Sequence, residues 1–316
     1  MRSKLYLTKA LASPRILSVQ INVTNKCPCK CDMCNKYNWP QVELSNGDFT
    51  SILDNLVFSG AETIVFSGGE PLMYKHLPII KDYREDFGFG MFTTGVGQLA
   101  IDDDLLGCFD WIRISLDGDE ATHNKIRGVN IYEKAVKFAL RCKHLGISTR
   151  FQYTIQKENM EQFREALSTS INKFEIPMFG FFVQSVNELT WEQKELLAKD
   201  LQSMLRSQSI KDNSNIVELI EQIYTKPAVS EHCVIPQFHR VIDSDGTEWP
   251  CCYVMADNLP FDKRDMKYEC SKSVHPDIFN KKTPFCETCD AIFSRYQRIN
   301  DEYEQASNAC HRKIYL

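Results

Sequence analysis

The chain has 316 residues, with 43% hydrophobic and 25% charged side chains, which is ordinary usage for one or two globular domains. Its 42 acidic and 37 basic side chains leave a net charge of −5, which gives no electrostatic reason to expect nucleic acid or an anionic membrane as a partner. No apolar run approaches the roughly 20 residues that span a bilayer, and no secretory signal pattern opens the chain, so the expected location is the cytoplasm. In such a chain 13 cysteines point to metal or redox chemistry rather than disulfides.

Residues 17–23 alternate apolar and polar and read as a strand that runs into a cysteine-rich loop. Residues 48–58 read as a helix, 63–67 as a buried strand ending in Gly68-Gly69, 77–87 as a helix and 90–94 as a strand stopped by Gly95. A short helix over 102–106 precedes a strand over 111–116 closed by Asp117-Gly118, then a helix over 131–145. A strand over 148–155, a helix over 158–168 and a strand over 178–184 follow, and Thr190 with Gln193 predicts a capping box opening a helix to about 206. Six strand–helix units predict an α/β fold, a partial (β/α)6 barrel whose lateral mouth is left open because eight units are needed for closure. The expected organisation is an N-terminal extension over 1–15, the barrel over 16–210, a helical linker over 211–232 and a small cysteine- and turn-rich domain over 233–316.

Cys27, Cys29, Cys31 and Cys34 lie within eight residues, too close for an apolar core, so their thiolates call for iron or zinc. The subset Cys27, Cys31 and Cys34 has the spacing C-x3-C-x2-C, and three thiolates on a four-iron cluster leave one iron open for catalysis. A zinc knuckle is the competing reading. Further on, a hairpin at Ser244-Asp245-Gly246 brings Cys233 and Cys251 together, and Cys286 and Cys289 form a C-x2-C knuckle, a second four-cysteine set suited to zinc or iron–sulfur. Cys252 and Cys270 are spare thiols nearby, while Cys108 and Cys142 read as inert core thiols.

With its Thr24-Asn25 lead-in, the first motif resembles the signature of the radical S-adenosylmethionine (SAM) superfamily. So do Gly68-Gly69-Glu70-Pro71 after the second strand and Ser115-Leu116-Asp117-Gly118 followed by His123-Asn124-Lys125-Ile126-Arg127-Gly128 after the fourth. The resemblance implies a [4Fe–4S] cluster on Cys27, Cys31 and Cys34 that binds and reductively cleaves SAM to a 5′-deoxyadenosyl radical, which then takes a hydrogen atom from substrate. Cys29 falls outside the implied ligand set. Met33, where an aromatic residue is common, would pack near the adenine; Gly68, Gly69 and Glu70 would meet the methionine ammonium, Ser115 the ribose or methionine end, and Arg127 the methionine carboxylate. Thr94-Gly95, and Thr154 with Asn159, stand in weaker family contexts; Gln152 and Gln184 are candidates for the barrel interior, and His123 reads as a surface histidine.

The C-terminal cysteines resemble the Twitch domain, a shortened SPASM domain, in which Cys233, Cys251, Cys286 and Cys289 would hold an auxiliary [4Fe–4S] cluster. A cluster capped by four thiolates suits electron transfer, so the favoured outcome is oxidation of a small biosynthetic intermediate such as a sugar, nucleoside or amino-acid derivative. Rearrangement of such a molecule, peptide modification, and a non-catalytic zinc-binding module are the alternatives. A flavodoxin- or ferredoxin-type electron donor is the other implied partner. Asp245 and Glu248 are two of several candidates for a base, among which the sequence does not choose.

Overall fold

Strand β1 (Ser18–Thr24) is buried along its whole length. Val19, Ile21 and Val23 enter the apolar core, so by the two-residue period of a strand Ser18, Gln20, Asn22 and Thr24 line the other face of the sheet. The computed structural model describes residues 16–34, 36–97, 101–182, 188–207, 214–224 and 239–249. The N-terminal extension, Gln184, Cys233, Cys251, Cys286, Cys289, and with them all of the expected Twitch domain except residues 239–249, lie outside the described residues.

Strands β2 (Thr63–Gly68), β3 (Gly88–Thr93), β4 (Phe109–Ser115), β5 (Ser148–Ile155) and β6 (Met178–Phe182) follow in chain order, each parallel to the one before. Helix α1 (Asn46–Ser59) joins β1 to β2; its cap, Ser45, accepts the Asp48 amide, and Gly60 closes it in the left-handed conformation. Short α2 (Asp103–Leu106) precedes β4. Helices α3 (Glu120–Arg127) and α4 (Tyr132–His144) precede β5, α5 (Phe163–Thr169) precedes β6, and α6 (Trp191–Arg206) and α7 (Ser214–Tyr224) follow it. Residues 77–87, expected as one helix, form a seven-residue 3-10 segment, Leu77–Tyr83, with Pro78 in its first turn. The helix expected over 158–168 is split, with a 3-10 turn before α5 and a π turn, Ser170–Phe174, after it. The capping box at Thr190 and Gln193 forms as expected.

The sheet order is β6-β5-β4-β3-β2-β1-β7-β8, where β7 (His239–Ile242) runs parallel to β1 and β8 (Glu248–Trp249) is antiparallel to β7. Seven strands are therefore parallel rather than six. The expected hairpin is present, with Gly246 at φ 82°, but its first strand joins the main sheet, pairing Ser18 with His239 and Ile21 with Ile242. Only four residues long and opening on His239 and Arg240, β7 has no apolar alternation by which a sequence reading would assign it to this sheet. On the helical side, Phe66 touches the rings of Phe49, Phe89 and Phe109, and each such fully buried side chain contributes about 1.5–3 kcal/mol. Among the described residues no helix is long and apolar enough to cross a membrane.

Candidate active site

The cysteine loop leaves the C-terminal end of β1. Thr24 Oγ1 accepts the Lys26 amide at 3.1 Å, the Asn25 amide donates to Val42 O at 2.8 Å, and Asn25 Nδ2 donates to Pro40 O at 3.1 Å. The Thr-Asn lead-in thus pins the loop to the following segment. Lys30 N donates to Arg127 O at 3.0 Å, and Cys34 N to Cys31 O at 3.0 Å, which folds the loop back on itself. Cys29 and Cys31 are buried with Ile131, and Cys27, Met33, Cys34, Val96 and Val129 pack against them. All four cysteines therefore share one apolar-walled cluster, including Cys29, which the motif sets aside. The Cys29 thiol is hydrogen-bonded to Cys27 and Cys31, which lowers Cys27, brings Cys31 down to about 7 and pushes Cys29 itself far up. Among the described residues no three ligand side chains converge on one point to hold a single ion, whereas cluster thiolates each bind a different iron. Clustered sulfurs, an apolar wall and a cation beside Cys31 fit such a cluster.

Gly68 and Gly69 lie directly against this loop. A Cβ on Gly69 would overlap the carbonyl oxygens of Lys26 and Asn25, and Gly68, at φ 122°, abuts Thr24 O. Gly69 N donates to Thr24 O at 2.7 Å and Glu70 N to Lys26 O at 2.8 Å. The Glu70 carboxylate is fully buried and turned into the fold: Oε1 accepts Leu72 N at 3.0 Å and Thr93 Oγ1 at 2.5 Å, and Oε2 accepts Thr94 N at 2.7 Å and Thr94 Oγ1 at 2.6 Å. Burial pushes its pKa up, and these donors oppose the shift. Glu70, expected beside a methionine ammonium, here ties the glycine turn to the end of β3 and gives Thr94 its role.

The third component follows β4. Asp117 is fully buried; Oδ1 accepts Thr154 N at 2.8 Å and Oδ2 accepts Arg127 Nε at 2.6 Å and pairs with Nη2 at 2.5 Å. Arg127 Nη1 faces the Cys31 sulfur at 3.8 Å. The fork expected to grip the methionine carboxylate already grips this one. Burial works against the Arg127 charge, but Asp117, then Cys31 and Cys29, more than offset it and hold its pKa above the ordinary value. His123 is fully buried rather than on the surface; its Nδ1 accepts Asp117 N at 3.0 Å, and burial brings its pKa down to about 4. Asn124 Oδ1 accepts the amides of Ile131 and Tyr132 at 2.8 and 2.9 Å, starting α4. Asn159 Nδ2 donates to Asp117 O and Thr154 O, which locks the ends of β4 and β5 together.

The cysteine loop, the glycine turn, Thr94, Ser115–Asp117 and Thr154 thus all stand at the C-terminal ends of consecutive parallel strands, where α/β barrels place their active sites. The radical SAM superfamily pattern matches residues 21–169, which span every one of these features. Residues 21–169 are a radical SAM domain. Among curated relatives, Fe-coproporphyrin III synthase of Methanosarcina barkeri is 29% identical over 170 residues, 51% of this chain and 42% of that protein. An S-adenosylmethionine-dependent nucleotide dehydratase of Selenomonas ruminantium is 31% identical over 105 residues, 31% of this chain and 38% of its own. The chain thus spans less than half the length of these two relatives, both enzymes by name. In fold, Streptococcus suis SuiB bound to precursor peptide SuiA covers 90% of this chain and 69% of its own at a TM-score of 0.59 and 16% identity.

Within the radical SAM domain, Gln156 is a buried polar group that carries no motif signal. Gln156, just past β5, is 1% exposed, and neither its Oε1 nor its Nε2 has a hydrogen-bond partner. An amide so placed is costly without a ligand. Its only sequence signal is position, two residues beyond Thr154 on the strand's polar side. Met33 packs beside the cysteines, and Ser115, the last residue of β4, stands in register with Gln152.

Proposed function

We propose that this chain is a radical SAM enzyme in which Cys27, Cys31 and Cys34 hold a [4Fe–4S] cluster and a small biosynthetic intermediate loses a hydrogen atom. When bound, the cluster supplies the open iron and the electron that split SAM into methionine and a 5′-deoxyadenosyl radical. The observation that carries the reading is the packing of the cysteine loop against both the glycine turn and the Asp117–Arg127 pair at one end of a parallel sheet. Met33, Gly68, Gly69, Ser115 and Gln156 would meet SAM. Glu70 and Arg127 act from behind: the carboxylate fixes the glycine turn, and the guanidinium keeps a positive charge at Cys31, favouring its thiolate. The apolar wall of Ile131, Val96 and Val129 shields the buried Cys29 and Cys31 from water.

The cysteine pattern supports an auxiliary cluster on Cys233, Cys251, Cys286 and Cys289, which would take the substrate electron and make the reaction an oxidation. A flavodoxin- or ferredoxin-type donor would reduce the first cluster. The test is anaerobic purification with iron and sulfide analysis, followed by assay of 5′-deoxyadenosine from SAM and dithionite. About four irons per chain are expected for one cluster and about eight for two. Changing Cys27, Cys31 or Cys34 to alanine is expected to abolish 5′-deoxyadenosine formation. Zinc without sulfide would overturn the proposal in favour of an interaction module.

A further inference from the structure

The face of the sheet turned away from the helices carries an unexpected pair of cations. Arg113 on β4 and Arg150 on β5 are register partners on adjacent parallel strands, whose backbones run about 4.8 Å apart. Flanking strand residues Ile112, Ile114 and Phe151 enter the apolar core, which places both arginines on the opposite face. Arg113 is 4% exposed; it makes no hydrogen bond or ion pair with any described residue, and its Nη1 is buried without a partner. Its guanidinium lies 5.0 Å from the centre of the Trp111 ring. That ring lies across β3 where only a glycine, Gly90, leaves it room, and Phe92 meets it edge-on at 5.4 Å. Arg150 is half-buried, so the face is open on that side.

A buried guanidinium with a like charge next to it and, among the described residues, no carboxylate acting on it is costly by itself. An anion would supply the missing charge, and the planar fork of arginine suits phosphate and carboxylate oxygens. Burial, then the Arg150 charge, brings the Arg113 pKa down to about 9, which an arriving anion would reverse. The pair sits two residues below Ser115 and Gln152, roughly 7 Å deeper along the strands and on the same face of the sheet.

We propose that Arg113 and Arg150 form an oxyanion-binding site on the inner face of the sheet, which selects substrates carrying a phosphate or carboxylate group. Its reading as a substrate site rests on the proposed function; the anion site itself does not. The whole chain is titrated calorimetrically, at constant ionic strength, with inorganic pyrophosphate, inorganic phosphate and succinate. At least one probe is expected to bind, with Arg113→Gln and Arg150→Gln each weakening it tenfold or more and Arg113→Lys retaining part of the affinity. Tight pyrophosphate and weak succinate would indicate a phosphorylated substrate, and the reverse a carboxylate. Melting temperature is the control: Arg113→Gln, which removes an uncompensated charge, is expected to melt at or above wild type. Equal affinity of wild type and Arg113→Gln, no binding of any probe, or a lower melting temperature for Arg113→Gln without loss of anion affinity would overturn the proposal. Anion binding in a chain that fails to cleave SAM would sink the proposed function alone, and SAM cleavage without anion binding would sink this inference alone.

Discussion

Replacing Asp117 with alanine isolates the strongest electrostatic element of the site. The carboxylate is fully buried and takes three charge-assisted or backbone hydrogen bonds, two from Arg127 and one from Thr154 N. Its removal strands the Arg127 charge, which is itself buried, and leaves the Thr154 amide without its acceptor. Breaking one partner of a buried pair costs about 3–5 kcal/mol. At an unfolding entropy of about 2.1 cal/mol/K per residue, a chain of this size would show a fall in melting temperature of about 4–8 °C. The drop is expected to be insensitive to salt, because both groups are shielded from solvent ions. The matched control is Asp117→Leu with Arg127→Met, which removes both charges and is expected to recover most of the loss. Denaturant melts of the three proteins decide the matter. A cost below about 1 kcal/mol for Asp117→Ala, or a double variant no more stable than the single, would refute the view that this pair holds α3 against the cysteine loop.

Other outcomes follow from the same geometry. Histidine in an unfolded chain takes up a proton near pH 6.5, but buried His123 does so only at about 4. The unfolded state therefore binds more protons between these values, so His123's contribution is complete above pH 6.5 and drains away as pH falls towards 4, by roughly 3 kcal/mol in all. Comparing acid melts of wild type and His123→Gln should show a shallower pH slope in the variant; equal slopes would contradict the shift. Glu70→Ala leaves the Thr93 and Thr94 hydroxyls and two backbone amides without their acceptor, and a loss of about 2–4 kcal/mol by denaturant melt is expected, with Glu70→Gln milder. Gly69→Ala forces the turn away from Lys26 O, and the reconstituted protein is expected to hold less iron than wild type while keeping its far-ultraviolet dichroism. Phe66→Ala, on the helical side of the sheet and facing away from the site, should cost about 3–5 kcal/mol by melt and leave iron content unchanged.

Sequence alone revealed much of the sheet and left the local wiring hidden. The strand over 148–155 was legible to the residue because Phe151, Tyr153 and Ile155 alternate with polar neighbours. Helix α3 was not, since its buried face is made of His123, Ile126 and Arg127, two of them polar, so hydrophobic periodicity has nothing to register. For the same reason His123 read as a surface residue: its burial depends on Asp117, six positions away, and on no pattern of its own. The motif residues were found by spacing, but spacing does not say which way a side chain turns. Glu70 turns inward to Thr93 and Thr94, and Arg127 turns to Asp117. The cation pair at Arg113 and Arg150 was invisible because it exists only through the β4–β5 register, across 37 residues of chain.

The pairing of β7 with β1 also bears on how the molecule is made. β1 finds β2 within some forty residues, but its other neighbour arrives only at Ile242. At typical synthesis rates of about 5–20 residues per second, that interval lasts on the order of ten to forty seconds. Throughout it β1 is an open edge carrying unpaired amides, next to a nascent stretch of four free thiols. Late closure of that edge, across a long stretch of chain, makes assembly slow for a domain otherwise stitched from neighbours.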